Sequence, residues 1–239
     1  MSVRRLIGWL RRMRFPIAVA IAMAAPGIAV AQGTGSVVGT WDYYRAGASA
    51  ESLQALRNVE QYHIEPGVQR MRQTNYAGAL EDFEFILNYF PNHPRALTLM
   101  SELCVKWKNP RCEAESRLER AIQINPKASQ TYVIQGLHFQ RLNARERAIG
   151  AYKQALDLNP ASSNAHYNLG LAYFDLKRFD LANLHAQATY VLGFPLPGLR
   201  DKLTRAGHWK TLPEDEVKRV TRAQEKVDEK PAAEEPTAK

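Results

Sequence analysis

Cysteine is scarce in this sequence. Cys104 and Cys112 are the only two cysteines among 239 residues. Their spacing is not Cys-x-x-Cys, which argues against thiol redox catalysis. Two thiols with no histidine at ligand spacing also fall short of the four ligands of a usual zinc site. The sequence therefore predicts neither a metal site nor a redox centre, and no cofactor is expected.

The motifs that mark common enzyme classes are missing as well. The sequence has no Gly-rich phosphate-binding loop and no Gly-x-Ser-x-Gly nucleophile elbow. Its six histidines are scattered along the chain. A Ser-His-Asp arrangement that only folding would assemble stays open at this point. We expect a non-catalytic protein with no catalytic residues.

The N-terminal apolar stretch is short for a membrane span. It runs from Phe15 to Ala31, which is 17 residues, and two prolines and a glycine interrupt it. A spanning helix needs about 20 apolar residues. Five arginines precede the stretch, and the small residues Ala29-Val30-Ala31 end it.

This order of charged, apolar and small residues is typical of a secretory signal. We expect residues 1–31 to be a Sec-type signal peptide, cleaved after Ala31, and the mature protein to reside in the periplasm. An uncleaved membrane anchor is the alternative, and contact with a membrane is expected only in that case.

Net charge argues against a nucleic-acid partner. The whole chain carries +8, from 32 Lys and Arg against 24 Asp and Glu. Without the five arginines of the signal, 27 basic residues face 24 acidic ones, a net charge of +3. No clustered basic surface with interleaved aromatic residues is evident, as a nucleic-acid site would need.

A period of 34 residues organises the middle of the chain. The phrase at residues 121–126, Ala-Ile-Gln-Ile-Asn-Pro, returns at 155–160 as Ala-Leu-Asp-Leu-Asn-Pro. Ala114, Ala148 and Ala182 keep the same interval. A fixed period of this size indicates stacked copies of one helix–turn–helix unit. The sequence thus predicts an all-α protein whose helix pairs form a binding surface more readily than a catalytic pocket.

Two of these units carry a recognisable motif. One contains His166, Leu169, Gly170, Tyr173, Ala182, Ala186 and Pro195, and the unit before it contains Tyr132, Gly136, Phe139, Ala148, Tyr152, Ala155 and Pro160. This pattern resembles the tetratricopeptide repeat (TPR). The resemblance covers residues 63–195 and implies an α-solenoid of about four TPR helix pairs with a C-terminal capping helix.

The extent of the repeats and of the signal peptide sets the predicted domain organisation. Residues 32–62 are expected to form a flexible lead and an N-terminal helix, with a break near Pro66. The TPR domain at 63–195 is followed by a capping helix at 196–209, with Leu199 and Leu203 facing inward. Residues 210–239 are rich in charge and poor in apolar residues, which predicts a disordered tail.

The two cysteines belong to one predicted helix pair. Cys104 lies on the first helix of the second pair and Cys112 opens the second helix, so their Cα atoms could come within disulfide distance. An oxidising compartment would favour the bond. Two separate thiols, one packed and one exposed, remain the alternative.

The resemblance also implies a concave groove lined by the first helix of each pair. The predicted peptide-binding positions mix apolar, amide and charged side chains, and they are Val133, Leu137, Gln140, Arg141, Tyr167, Leu171, Phe174 and Asp175. Such a mixture suits an extended or helical peptide. The alternative for Leu137, Leu171 and Phe174 is that they pack between neighbouring helices.

The sequence therefore predicts a non-catalytic periplasmic TPR scaffold or adaptor that binds protein or peptide partners in envelope assembly, secretion or pilus biogenesis. Two alternatives stay open. One is a membrane-tethered structural subunit of an envelope complex, and the other is an accessory subunit of a cell-wall enzyme. The sequence does not indicate an oligomeric state.

Overall fold

The computed structural model describes residues 40–222. The predicted signal peptide, the lead up to residue 39 and the tail from residue 223 onward lie outside the described residues. Within residues 40–222 every regular element is helical. No helix of this part combines the length and apolar character that crossing a bilayer requires.

The described residues form a short 3₁₀ helix, Tyr43–Ala48, and a series of α-helices. Their bounds are α1 Ala50–Val59, α2 Glu65–Arg72, α3 Tyr76–Tyr89, α4 Pro94–Trp107, α5 Ala114–Ile124, α6 Ser129–Arg141, α7 Arg145–Leu158, α8 Ser163–Asp175, α9 Phe179–Val191, α10 Gly198–Arg205 and α11 Glu214–Thr221.

The helices α2 to α9 form four antiparallel pairs. We call the first member of each pair its A helix (α2, α4, α6, α8) and the second its B helix (α3, α5, α7, α9). Each pair packs on the next, and the helix α10 packs on α8 and α9. The all-α solenoid of four pairs with a capping helix is therefore confirmed.

Three of the four A-to-B turns share one geometry. They span residues 73–75, 142–144 and 176–178, and in each one residue is left-handed, namely Thr74, Asn143 or Lys177, with φ near +60°. The amide three residues past the end of the A helix donates back to a carbonyl in its last turn. In the third pair, for example, Ala144 N–H donates to Phe139 O at 2.8 Å. This arrangement satisfies orphan carbonyls at the helix end. The short turns hold each A helix antiparallel to its B helix.

Small residues allow the helices of a pair to approach. At Gly136 of α6, a Cβ would overlap the ring of Tyr152 from α7, which is fully buried. At Gly170 of α8, a Cβ would overlap Leu199 of α10 rather than a side chain of its own B helix. Leu199 therefore fills, from the capping helix, the space that Gly170 leaves.

The predicted helix break near Pro66 is wrong. Residues Glu60–Ile64 form a π-helical turn that joins α1 directly to α2, so helical structure runs from Ala50 to Arg72. Proline lacks an N–H and its ring crowds the preceding turn. A widened turn relieves that clash without ending the helix. The predicted boundary at residue 62 thus falls inside a continuous helix.

The segment before α1 is bound to the repeats rather than free. Trp41 stacks on Tyr89 and Phe90, with ring centroids 6.1 and 5.6 Å apart. The Asp42 carboxylate accepts hydrogen bonds from the side-chain amides of Asn92, at 2.6 Å, and Asn125, at 2.9 Å. Residues 41–48 thus pack on the repeats, where one carboxylate bridges two successive inter-repeat loops.

The start of the predicted disordered tail is also ordered. The Lys210 carbonyl accepts a hydrogen bond from the side chain of Asn183, at 2.7 Å, and Leu212 N–H donates to Gln187, at 3.0 Å. The helix α11 then packs on α9 and buries Val217. The buried Val217 side chain and the polar anchors on α9 contribute to holding this segment.

Candidate functional site

The predicted groove positions on α6 are largely committed to packing. Val133 is 2% exposed and belongs to the core, so it does not line an open surface. Leu137 is half-buried against the same core. The Gln140 side-chain oxygen accepts a hydrogen bond from the Tyr152 hydroxyl at 2.8 Å, which ties it to α7. Arg141 is exposed and is the most accessible of the four.

The predicted groove positions on α8 face the chain's own C-terminal segment. The Tyr167 ring lies 4.5 Å from Phe194, and the Lys202 ammonium lies 5.4 Å over the Phe174 ring. Leu171 is half-buried in the same cluster. Tyr167 and Phe174 thus contact residues that follow the last helix pair, rather than a neighbouring A helix. Asp175 stays exposed.

The open polar stripe of the A helices therefore lies on α4 and at the end of α6. On α4 the side chains of Arg95 and Lys106 are exposed, and Thr98 and Glu102 are partly exposed. Arg141 continues this stripe from α6, because its guanidinium donates to Ser101 of α4 at 2.9 Å. Peptide binding by the predicted positions on α6 and α8 stays a prediction.

A buried network joins α4 to α6 at this point. Ser101 is fully buried, and its Oγ lies 3.0 Å from Nδ1 of His138. Burial lowers the pKa of His138 below its ordinary value, with further lowering from Arg141 and Arg147 against an opposing effect of Glu115. The Ser101 Oγ also accepts from Arg141, so one hydroxyl contacts both side chains of α6. The Ser101 hydroxyl is not exposed as a nucleophile, so the pair links two helices.

A second histidine pair lies between α8 and α9. Nδ1 of His166 and Nδ1 of His185 are 2.8 Å apart, and Nε2 of His166 donates to the Pro160 carbonyl at 2.9 Å. Nδ1 of His166 must therefore accept from His185. Desolvation lowers the pKa of both rings, that of His185 to about 3 with a smaller lowering from His166. Among residues 40–222 no group of three or more His, Cys, Asp or Glu is placed to hold a metal ion.

The second helix pair contains a cleft that the repeat pattern does not predict. Its A-to-B connection spans residues 108–113, twice the length of the three-residue turns in the other pairs. The helix α5 begins late, and α4 and α5 are less closely packed than α6 and α7. The resulting repeat-2 cleft has a volume of about 850 Å³ and is lined by Cys104, Val105, Lys108, Asn109, Pro110, Cys112, Glu113, Ala114, Glu115, Ser116, His138, Arg141 and Leu142. The only signal in the sequence is the extra length between Trp107 and Ala114.

Cys104 and Cys112 form one wall of this cleft. Their Cα atoms are 5.2 Å apart, and the two side chains are placed as in a disulfide. Separations of 4.4–6.8 Å are usual for bonded cysteines, roughly. The six-residue connection brings Cys112 back toward the end of α4.

We expect the two thiols to be bonded in protein isolated from an oxidising compartment. Cys112→Ser should then lower the free energy of unfolding by about 2 kcal/mol, because a short covalent loop would be lost. Mass spectrometry after alkylation, with and without prior reduction, measures the bond. Two alkylated thiols without reduction, or a wild-type melting temperature insensitive to reductant, would contradict it.

Comparison with known proteins agrees with this architecture. A sequence model described as a TPR repeat matches residues 141–177, which contain the third A-to-B turn and all of α7 and α8. Anaphase-promoting complex subunit 3 of Schizosaccharomyces pombe is 27% identical over 97 residues. That match covers 41% of this chain, and the chain spans only 14% of the length of this curated relative.

A solved structure shows the same fold at low identity. PilF of Pseudomonas aeruginosa is 16% identical, and the likeness covers 70% of this chain and 75% of that one with a TM-score of 0.50. A thermophilic TPR protein of Thermus thermophilus is 23% identical, with 72% and 93% coverage and a TM-score of 0.48. The repeat match at residues 141–177, the helix pairs and their shared turn geometry together show that this chain contains tetratricopeptide repeats.

Proposed function

We propose that this protein is a non-catalytic periplasmic scaffold that binds protein partners on the exposed stripe of α4 and on Arg141. The observation that carries the proposal is this stripe, where Arg95, Glu102 and Lys106 present charge of both signs on a rigid helix. Charged side chains on a fixed scaffold select partners by complementarity and speed their encounter. Stacked helix pairs provide such extended surfaces.

The stripe lies in the α4 part of the groove that the TPR resemblance implies, rather than at the positions of α6 and α8. The α8 end of the groove is covered by residues 194–202, whereas no described helix covers α4 in the same way. Polar stripes of this kind bind through a few strong contacts, with the rest of the surface supplying shape. Export to the periplasm is supported by the N-terminal sequence pattern, and envelope assembly, secretion and pilus biogenesis are the processes that such a scaffold would serve.

Capture from crosslinked cells tests this proposal. The variant Arg95→Ala/Lys106→Ala should lose partners that the wild type retains, because it removes two exposed cations without touching the core. The matched control Arg120→Ala/Lys153→Ala removes two exposed cations from the B helices α5 and α7 and should capture the same proteins as the wild type. Equal capture by all three would show that the α4 stripe does not bind.

The same purified protein tests the location. A mass that corresponds to a chain starting at Gln32 supports export and cleavage. An intact N-terminus in the membrane fraction would instead support the tethered structural subunit. The far-ultraviolet circular dichroism melt of each variant should match the wild type, since none of the four side chains is buried.

A further inference from the structure

We propose that the repeat-2 cleft binds an acidic peptide segment, with a carboxylate held by Arg141 and Lys108 and a neighbouring apolar side chain placed against Leu142 and the two cysteines. This inference rests on the proposed scaffold function and names the chemistry that one site would recognise. The cleft volume of about 850 Å³ lies within the range of functional binding sites, roughly 300–1,000 Å³.

Two cations of the cleft are without a carboxylate partner. Among residues 40–222 no carboxylate oxygen lies within 4.0 Å of the charged nitrogens of Lys108 or Arg141. Of the two acids that line the cleft, Glu115 is neutralised by Arg147 at 2.6 Å, and Glu113 is exposed at the start of α5. The local balance therefore favours an incoming anion.

The Arg141 side chain is restrained before any ligand binds. One guanidinium nitrogen donates to Ser101 at 2.9 Å, which restrains the long side chain and leaves further N–H groups for a second acceptor. Guanidinium groups bind carboxylates through paired, charge-assisted hydrogen bonds. Restraint before binding lowers the entropy cost of forming these bonds.

His138 connects the cleft to α4. It is 3% exposed and lines the cleft, and its Nδ1 lies 3.0 Å from the Ser101 hydroxyl to which Arg141 donates.

Another part of the cleft wall is apolar. Leu142 is 45% exposed although it lies at the end of α6, and Val105, Pro110 and the cysteine pair surround the same space. A ligand that pairs a carboxylate with an aliphatic side chain fits this division between charged and apolar walls. The other helix pairs, with three-residue turns, leave no comparable connection.

Two blocked peptides test the proposal on the full chain. The probes are Ac-Ala-Leu-Glu-Leu-Ala-amide and the isosteric Ac-Ala-Leu-Gln-Leu-Ala-amide. Binding of each probe is followed through the amide chemical shifts of the isotopically labelled protein. The acidic probe should shift resonances of residues 104–116 and 138–142 and bind about tenfold more tightly than the neutral one. Equal affinity of the two probes, or no binding of the acidic one, would overturn the proposal.

Variants locate the contact. Arg141→Gln and Lys108→Gln should each reduce the preference for the acidic probe, while Arg178→Gln, an exposed arginine at another A-to-B turn, should leave it unchanged. Unchanged amide chemical shifts of residues outside the cleft show that each variant is folded. Shifts confined to residues 95–102 of α4 would contradict the cleft proposal and still support the scaffold function. Failure of the cell capture, with the acidic probe bound as expected, would contradict only the scaffold function.

Discussion

Gly136→Ala is expected to lower the free energy of unfolding by about 2 kcal/mol, whereas the same substitution at Gly150 should raise it by about 0.5–1 kcal/mol. A Cβ at Gly136 would overlap the Tyr152 ring, which is fully buried and whose hydroxyl is bonded to Gln140. The ring has no free direction to move. At Gly150, on the exposed face of α7, a Cβ would meet nothing within 4 Å, so only the helix propensity changes.

Chemical denaturation of both variants and the wild type, monitored by circular dichroism at 222 nm, measures the two effects. The opposite signs separate close packing from the general preference of helices for alanine. If Gly136→Ala were neutral or stabilising, the contact between α6 and α7 would have to be looser than the structure shows. A destabilising Gly150→Ala would contradict the open environment of that position.

Acid is expected to destabilise this protein well before its carboxylates are protonated. The pKa of each of four histidines, His93, His138, His166 and His185, is lowered mainly by desolvation, that of His185 to about 3. Between the lowered pKa and the usual value of about 6.5, the unfolded chain binds protons that the folded chain does not. Stability is therefore complete above about pH 6.5 and falls as the pH drops. For His185 alone the loss between pH 6.5 and 4.5 is about 2 kcal/mol.

The free energy of unfolding, measured in denaturant at intervals from pH 7.5 to 4.5, checks this slope. His185→Gln provides the control, because its amide can still donate to Nδ1 of His166 but does not titrate. Its pH profile should be flatter than that of the wild type by the contribution of one histidine. Parallel profiles would mean that folding does not shift the pKa of His185.

Most of the fold is local in origin and could be predicted. The 34-residue interval sets the helix pairs, since each unit repeats the same small and large residues at the A-to-B contact. Leu199 and Leu203 at helical spacing predict the inward face of the capping helix, and both are fully buried. The break at Pro66 was wrong because a π-helical turn can absorb a proline, and sequence propensity does not register that option.

The candidate site was predictable only in part. Helical periodicity places Tyr167 and Phe174 on the same side of α8, but it does not reveal that residues 194–202 come back to cover them. Periodicity is equally uninformative about Val133. Its position in the repeat is that of a groove residue, but the surrounding side chains bury it. The cleft arises from the longer connection at 108–113, where the repeat pattern carries no information.

The sequence by itself determined the repeat, the order of the helices and the disulfide-capable spacing of Cys104 and Cys112, because each depends on residues close along the chain. Only the tertiary structure decided which polar groups meet across long separations. Asp42 reaches Asn125 over 83 positions and Arg141 reaches Ser101 over 40. Such contacts depend on how the pairs stack, and that is why the open stripe on α4 and the repeat-2 cleft emerge only once the chain is folded.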